Sequence, residues 1–185
     1  MTLKIYTKKG DTGRTYIFGG KRLSKVSTRI NCLGEIDELN SLLGIVSTYC
    51  TYIDILDKIR REQSNLLRLG ADIATPLEAE EKFQSAINRI LSSDVSSLEI
   101  EIDEWDKELP SLTKFILPGG SKVTTFTHHA RSVCRRAERK VVELSNEEEV
   151  NPEALRYLNR LSDWLFTLAR FLNKLNKMED IVDPN

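Results

Sequence analysis

The sequence predicts an all-α fold: a five-helix antiparallel bundle with a short non-helical arm at its N-terminus. Three observations carry that expectation. Apolar residues recur at steps of three and four over most of the 185 residues, which is the period of a helix with one buried face. Nine Gly and five Pro are too few for a turn-rich β-sandwich. No fixed-period repeat or low-complexity linker divides the chain, so 1–185 is expected to be one domain, with the arm at 1–21 and the bundle at 22–185.

The elements follow in order. The stretch to about Lys21 is rich in Gly, Thr and Lys and has no helical period, so it reads as extended or looped. From Ser24 on the pattern turns helical, with Val26, Ile30, Leu33, Ile36, Leu39, Leu43 and Val46 on one face. Gly34 and Gly44 interrupt that helix at about 1 kcal/mol each relative to Ala, which close packing or a ligand would justify. A second helix is expected from about Asp54 to Ala74, carried by Leu56, Ile59, Leu66, Leu67 and Ile73 and stopping before Pro76. Leu77 to Ser93 has only weak helical character, around Phe83 to Leu91. A third helix spans roughly Val95 to Leu109, with Leu98, Ile102 and Trp105 on one side, and Pro110 ends it. Leu117-Pro118-Gly119-Gly120 forms a turn, and Ser121 can cap a fourth helix from about Lys122 to Ser145. Its apolar face is Val123, Phe126, Ala130, Val133, Ala137, Val141 and Leu144. The fifth opens with Asn151 at the N-cap and Pro152 at the first helical position, and continues through Leu155, Leu158, Leu161, Leu165, Leu168 and Leu172.

Composition narrows the function classes. Lys plus Arg number 27 against 28 Asp plus Glu, so the basic excess of a duplex-DNA binder is missing and no nucleic-acid partner is expected. No apolar run approaches a membrane span, so no membrane partner is expected either. The opening Met1-Thr2-Leu3-Lys4 lacks the layout of a secretion signal. Cys32, Cys50 and Cys134 are an odd number without CxxC spacing. They fit reduced thiols in a cytoplasmic protein rather than a zinc site or disulfide framework.

The places where chemistry could sit are polar residues beside the apolar stripes. On the fourth helix, at about 100° per residue, Arg131, Arg135 and Glu138 fall in one narrow sector at the edge of the apolar arc. Arg136 and Lys140 point to the far side, toward solvent. On the fifth, Asn159, Asp163, Phe166 and Arg170 follow one another at steps of four, three and four beside the leucine stripe. Asn159 and Asp163 are poor helix formers at mid-helix positions. Spacing alone leaves two readings open, a functional edge and an ordinary salt-bridged or hydrogen-bonded bundle surface. The arm segment Thr7-Lys-Lys-Gly-Asp-Thr-Gly-Arg-Thr15 carries two glycines three apart among lysines and hydroxyls, which lets amides and cations close around phosphate oxygens. It is not a P-loop, and a flexible basic tail is the alternative. His128-His129 is set aside as a metal pair, because adjacent helical residues point about 100° apart and the chain has no other histidine. Glu147-Glu148-Glu149 is expected to be a solvated loop.

Taken together, four blocks resemble the ATP:cob(I)alamin adenosyltransferases of the propanediol-utilisation type. They are the arm segment just quoted; Arg29-Ile-Asn-Cys-Leu-Gly-Glu-Ile-Asp-Glu-Leu-Asn-Ser41; Phe115-Ile-Leu-Pro-Gly-Gly120; and Arg131-Ser-Val-Cys-Arg-Arg-Ala-Glu-Arg139 with Asn159-Arg-Leu-Ser-Asp163. Tyr49 to Leu109 matches in helical character only. The resemblance implies a trimer of five-helix bundles with active sites between subunits. It implies that ATP is held by Thr7, Lys8, Gly10, Asp11, Gly13 and Thr15 of the arm, by Lys25, and by Arg135, Glu138, Arg139 and Asn159. Phe115 and Phe166, with Asp163, would line the cobalamin side. Asp37 and Arg131 would pair across the subunit boundary. Arg135, Phe115, Arg131 and Asp37 would carry the catalysis. Mg would come with ATP, on its phosphates, with no metal ligand assigned to the protein.

The implied chemistry needs no activated nucleophile. Cob(I)alamin, itself the substrate, attacks the 5′ carbon of ATP and triphosphate departs, so the protein must align the reactants and stabilise charge on the leaving group. Phe115 would act as an apolar wedge that displaces the lower axial ligand and eases reduction of cob(II)alamin, for which a flavoprotein reductase is an implied partner. Two other classes compete. A non-enzymatic helical protein, such as a nucleotide sensor or corrinoid carrier, explains the bundle but not the ordered polar blocks. A kinase-like phosphotransferase would need a base to activate the acceptor, and the sequence offers none.

Overall fold

A computed structural model of the protein describes Lys4 and residues 6–182; residues 1–3, part of the opening read above for a secretion signal, lie outside them. The chain runs β1 (Arg14–Tyr16), β2 (Arg22–Ser24), α1 (Thr28–Tyr49), α2 (Ile53–Ala74), α3 (Glu81–Gln84), α4 (Ser92–Asp106), β3 (Ile116–Leu117), α5 (Lys122–Ser145), α6 (Pro152–Leu175) and β4 (Ile181–Val182). The five long helices are the five the sequence predicts, and α3 is a single extra turn within the weakly patterned stretch. The arm is more ordered than a loop: β1 and β2 form an antiparallel ribbon with Thr15 opposite Leu23. A second ribbon joins β3 to β4, with Ile116 opposite Val182. Among the described residues, no helix is long and apolar enough to cross a membrane.

Local chemistry sets the main boundaries. The Ser121 hydroxyl accepts the Thr124 N–H at 3.3 Å and so starts α5. Asn151 accepts the Glu153 N–H at 3.1 Å, and Pro152 follows it at the start of α6. The helix begun by Ser27 does not reach back to Val26, which is 81% exposed ahead of α1 rather than on its buried face. Residues 22–24 are committed to β2, so the backbone is not free to be helical until the turn after Ser24. Leu67 also departs from the expected core face and is exposed, while Leu66 is buried beside it.

Packing arranges the helices in an up-down-up-down-up bundle. α1 packs on α2 and α5, α5 on α6, and α6 on α4. Neighbours in sequence run antiparallel, whereas α4 and α6 run parallel, as the partners Glu99–Arg160, Trp105–Phe171 and Glu108–Lys174 advance together. The core is mainly aliphatic, built from Leu39, Leu43, Ile59, Leu66, Leu69, Leu98, Val141, Leu158, Leu161, Leu165, Leu168 and Leu172, with Tyr157 and Trp164 fully buried among them. Ala130, Cys134 and Ala137 keep α5 thin where it lies between α1 and α6. Two buried carboxylates stitch α2, α4 and α6 together. Glu62 accepts hydrogen bonds from Tyr157 at 2.5 Å, Arg61 at 2.6 Å and Asn65 at 3.1 Å. Glu101 accepts from Lys58 at 2.6 Å, Arg61 at 2.7 Å and Trp164 at 2.8 Å. Every lone pair direction that matters is used, so neither buried charge is left uncompensated.

The bundle therefore has two distinct ends. At one, the arm enters α1, α2 ends and α6 begins. There Asp72 binds Arg89, accepts from Asn151 at 2.6 Å and from the Ile90 N–H at 3.0 Å, and so ties down the 76–91 excursion. The acidic run after α5 belongs to this end and is not simply solvated. Glu147 accepts from Thr28 at 2.7 Å, and Glu148 pairs at 3.0 Å with Arg29, a buried cation that needs a partner. At the other end lie the loop between α4 and α5, the C-terminus of α6 and β4.

Candidate functional site

The α5–α6 edge brings together the polar residues that the helical angles put in one sector. Because these helices run antiparallel, Asn159 near the start of α6 meets Glu138 late in α5, and its Nδ2 donates to Glu138 Oε1 at 2.9 Å. Further along, the Arg131 guanidinium lies over the Phe166 ring, 5.9 Å from its centroid. Arg131 and Glu138 are separated by about 10 Å along the helix at 1.5 Å per residue. Arg135 lies between them, exposed, and Arg139 is exposed one turn beyond. Asp163 is exposed beside them and accepts from Arg160 at 3.0 Å. Arg131 Nε is buried with no hydrogen-bond partner, and burial and then the Arg135 cation hold the Arg131 guanidinium below its ordinary pKa.

Toward the α4–α5 loop this edge opens into a cavity of about 690 Å³, lined by Leu112, Thr113, Lys114, Phe115, Ile116, Arg131 and Phe166. Phe115 is 89% exposed, so its aromatic face is presented rather than packed. A largely apolar cavity with two cations, Lys114 and Arg131, at its wall suits a large, flat, mostly apolar ligand. Behind the wall, His128 is buried one turn before Arg131 and edge-on to Phe166 at 6.3 Å. Burial foremost, then the Arg131 cation, holds its imidazole below the usual histidine pKa, against a smaller opposing pull from Asp180. It stands behind the cavity rather than lining it.

The arm gathers its own set. Lys25 folds back against the glycine loop, so that a Cβ placed on Gly10 would sit 3.2 Å from Lys25 Nζ. The Lys25 N–H donates to the Gly13 carbonyl at 2.9 Å. Gly13 has φ +74° and Lys8 +58°, the left-handed turns that curl Thr7–Thr15 and leave Thr7, Lys8 and Asp11 exposed. Thr15 is half-buried in the ribbon. The ribbon turn leans toward the 76–91 excursion, where Phe18 packs edge-on against Phe83 at 5.7 Å. Among the described residues, no hydrogen bond or ion pair links the arm to Arg135, Glu138, Arg139 or Asn159. Asp37 is exposed on α1 and enters no ion pair among the described residues.

Two findings revise the sequence reading of this edge. Arg136, expected to face solvent, reaches α1 instead: its Nε donates to Glu35 at 2.5 Å and its Nη2 binds Glu38. The far side of α5 is the α1 groove at that height, so the cation is half-covered and paired. Lys140 does remain on the outer surface, paired with Glu143 at 2.7 Å. Arg170 lies in line with Asn159, Asp163 and Phe166 but turns inward and is 3% exposed, because the chain after α6 folds back over it. Sequence reasoning missed Leu112, Thr113, Lys114 and Ile116 as cavity lining; a loop carries no period that would mark them.

A sequence model of the family described as cobalamin adenosyltransferase matches residues 5–172. The chain is 41% identical over 183 residues to a corrinoid adenosyltransferase of Bacillus subtilis (strain 168), covering 97% of this chain and 91% of that protein. It is 39% identical over 173 residues to the Homo sapiens corrinoid adenosyltransferase MMAB, covering 91% of this chain and 68% of that protein. Among solved structures, it matches an alanine-for-phenylalanine variant of a PduO-type ATP:corrinoid adenosyltransferase from Lactobacillus reuteri, complexed with cobalamin and ATP. That match has a TM-score of 0.91 and 37% identity, and covers 98% of this chain and 100% of the other. A lysine-for-arginine variant from the same organism, complexed with ATP, matches with a TM-score of 0.90 and 36% identity over 97% of this chain and 99% of that one. Sequence and fold agree from the arm to the end of α6, and the chain belongs to the cobalamin adenosyltransferase family.

Proposed function

We propose that the protein is an ATP:corrinoid adenosyltransferase: it transfers the 5′-deoxyadenosyl group of ATP to the cobalt of cob(I)alamin, giving adenosylcobalamin and triphosphate. The observation that carries this reading is the near full-length match, at a TM-score of 0.91, to a homologue complexed with both cobalamin and ATP. In the reaction the cobalt electron pair forms the Co–C bond at the 5′ carbon as the C–O bond breaks, and triphosphate leaves with the bonding pair. No protein nucleophile is consumed, so the protein's work is alignment and electrostatics.

The residues divide by end. Thr7, Lys8, Gly10, Asp11, Gly13, Thr15 and Lys25 close over the triphosphate, and Arg135, Glu138, Arg139 and Asn159 receive the rest of ATP. The Lys25–Gly10 approach and the Asn159–Glu138 bond support this, since each set is already gathered. Mg enters on the ATP phosphates; the hard oxygens of Asp11, Thr7 and Thr15 suit it, and it would neutralise charge on the departing triphosphate. Phe115, Phe166 and Asp163 take the corrinoid, with Phe115 as the wedge at the lower face. Sites form between subunits of a homotrimer, where Asp37 of one copy pairs with Arg131 of the next. Three features support that arrangement: Asp37 is exposed and Arg131 Nε is buried, neither with a partner among the described residues, and among those residues no bond links the arm to the α5–α6 edge. A flavoprotein that reduces cob(II)alamin supplies the substrate, and the reaction takes place in the cytoplasm.

The test is direct. Incubation with MgATP and chemically reduced cobalamin yields adenosylcobalamin and triphosphate in equal amounts. Release of ADP or orthophosphate instead would identify a phosphotransferase or hydrolase, and no turnover would leave a binding protein. Sedimentation tests assembly: a fully active monomer would eliminate the shared site.

A further inference from the structure

We propose that Arg170, Asn173 and Asp180 form a brace that positions Phe115 for the corrinoid half of the reaction, an inference that rests on the function proposed above. Phe115 projects from a loop that has almost no packing of its own, and the β3–β4 ribbon beneath it pairs only two residues on each side. A ribbon that short does not hold a loop by itself. What holds it is one face of α6. Arg170 Nη2 donates to the Pro110 carbonyl at 2.6 Å, and Asn173 Nδ2 donates to the Gly119 carbonyl at 3.3 Å. The two feet of the Phe115 loop are thereby pinned to side chains one helical turn apart.

The same two side chains grip the tail. Arg170 Nε donates to Asp180 Oδ2 at 2.9 Å, and Asn173 Nδ2 donates to Asp180 Oδ1 at 3.2 Å. The Met178 N–H, following Lys177 at φ +55°, bonds the Asn173 carbonyl at 2.9 Å and turns the chain back so that β4 lies against β3. Arg170 has a 3% exposed side chain and Asp180 one of 14%, so this charge pair is shielded and directional. Gly120, at φ +119°, lets the backbone pass Asn173; a Cβ there would stand 2.0 Å from Asn173 Oδ1. None of the three brace residues shares the cavity that Phe115, Arg131 and Phe166 line. They act through the loop, as positioning residues.

The experiment uses the full chain with Asp180→Asn, which keeps shape and removes the charge that Arg170 holds. The expected result is a fall in kcat/KM for cob(I)alamin of about ten- to a hundred-fold, the scale of a misplacement of about 1 Å at a reacting centre. KM for ATP should stay near wild type, because the arm lies at the other end of the bundle, while the melting temperature should fall modestly, since the shielded Arg170 keeps only Asp106, at 3.8 Å, as a charge partner. The absorbance of bound cob(II)alamin with ATP should move toward that of free cob(II)alamin, a signature that a merely structural role would not move. Asp180→Glu, which keeps the charge, should recover part of the loss. Unchanged corrinoid kinetics and spectrum in Asp180→Asn would overturn the brace, as would an equal loss of ATP binding. Wild-type protein that makes no adenosylcobalamin would instead sink the underlying function, so the two failures are separable.

Discussion

Arg135 and Arg136 are consecutive and chemically identical, yet α5 sends them to different neighbours, and replacing each with Ala should separate catalysis from stability. Arg135 is exposed and meets no acidic partner among the described residues, so Arg135→Ala should leave the packing of the bundle intact. If it faces the triphosphate, it contributes most as charge builds on the leaving group. Turnover should then drop about ten- to a thousand-fold, or about 1.4–4 kcal/mol of transition-state stabilisation. Arg136 bridges to Glu35 and Glu38 with a side chain that is 41% exposed. Solvent screening limits such a pair to about 0.2–1 kcal/mol, a loss of at most about 4 °C in melting temperature for a chain of this size. Its turnover should change by less than about twofold, since no transition-state contact is lost. Adenosylcobalamin absorbance gives the rates and circular dichroism the melting points. Equal losses of turnover from the two variants, or an Arg135→Ala protein that melts as early as Arg136→Ala, would refute the division of this helix into faces.

Burial alone would raise the Glu101 carboxyl, but hydrogen bonds from Arg61, Lys58 and Trp164 outweigh it and hold its pKa below 4.5. Its contribution to stability is therefore complete above 4.5 and lost as pH falls through the lower folded value; Glu101→Gln should flatten that acid limb in urea titrations. At neutral pH, Glu101→Ala leaves Arg61 and Lys58 without their shared partner and should cost about 3–5 kcal/mol, read as a lower urea midpoint. Burial pushes the Cys32 thiol up to about 12 and raises Cys50 and Cys134 as well, so a thiol reagent at about pH 8 should label none quickly in native protein and all three after denaturation. Gly120→Ala must relieve both a positive φ and the Asn173 contact, and should destabilise the loop by about 1–3 kcal/mol, detected as faster proteolysis between Leu112 and Leu117.

What could be read from the sequence was local chemistry. α5 and α6 begin where Ser121 and Asn151 place them, because a cap is a contact between residues two or three apart. The Asn159–Glu138 bond was legible as two angular sectors on facing helices, although spacing could not say whether the pair was functional. Long-range pairings were not legible. The 76–91 excursion is held by Asp72, by Asn151 and by Gln84, which donates to the Pro76 carbonyl at 2.8 Å and the Leu77 carbonyl at 2.7 Å. None of those bonds leaves a periodic trace. Arg136 and Glu148 looked solvated for the same reason: a charge on an outward helical angle is indistinguishable from one that meets a neighbouring helix until that neighbour's position is known. The arm's glycines, lysines and hydroxyls were legible as a loop able to close around phosphate, but its ribbon pairing was missed because three-residue strands are too short to show alternation.

Between Lys122 and Ser145, α5 contains neither Gly nor Pro, and it carries both Arg131, which lines the cavity proposed for the corrinoid, and the residues proposed for the nucleotide. That makes it a ruler with a fixed gauge. One residue inserted between Arg131 and Arg135 would advance everything beyond it by about 1.5 Å and rotate it by about 100°, carrying Arg135 and Glu138 out of the sector that Asn159 faces. Such a change conserves every side chain and still separates the two substrates. Descendants of this chain can therefore lengthen or trim the 76–91 excursion, where the rise per residue measures nothing, but across the middle of α5 they can exchange letters and never change the count.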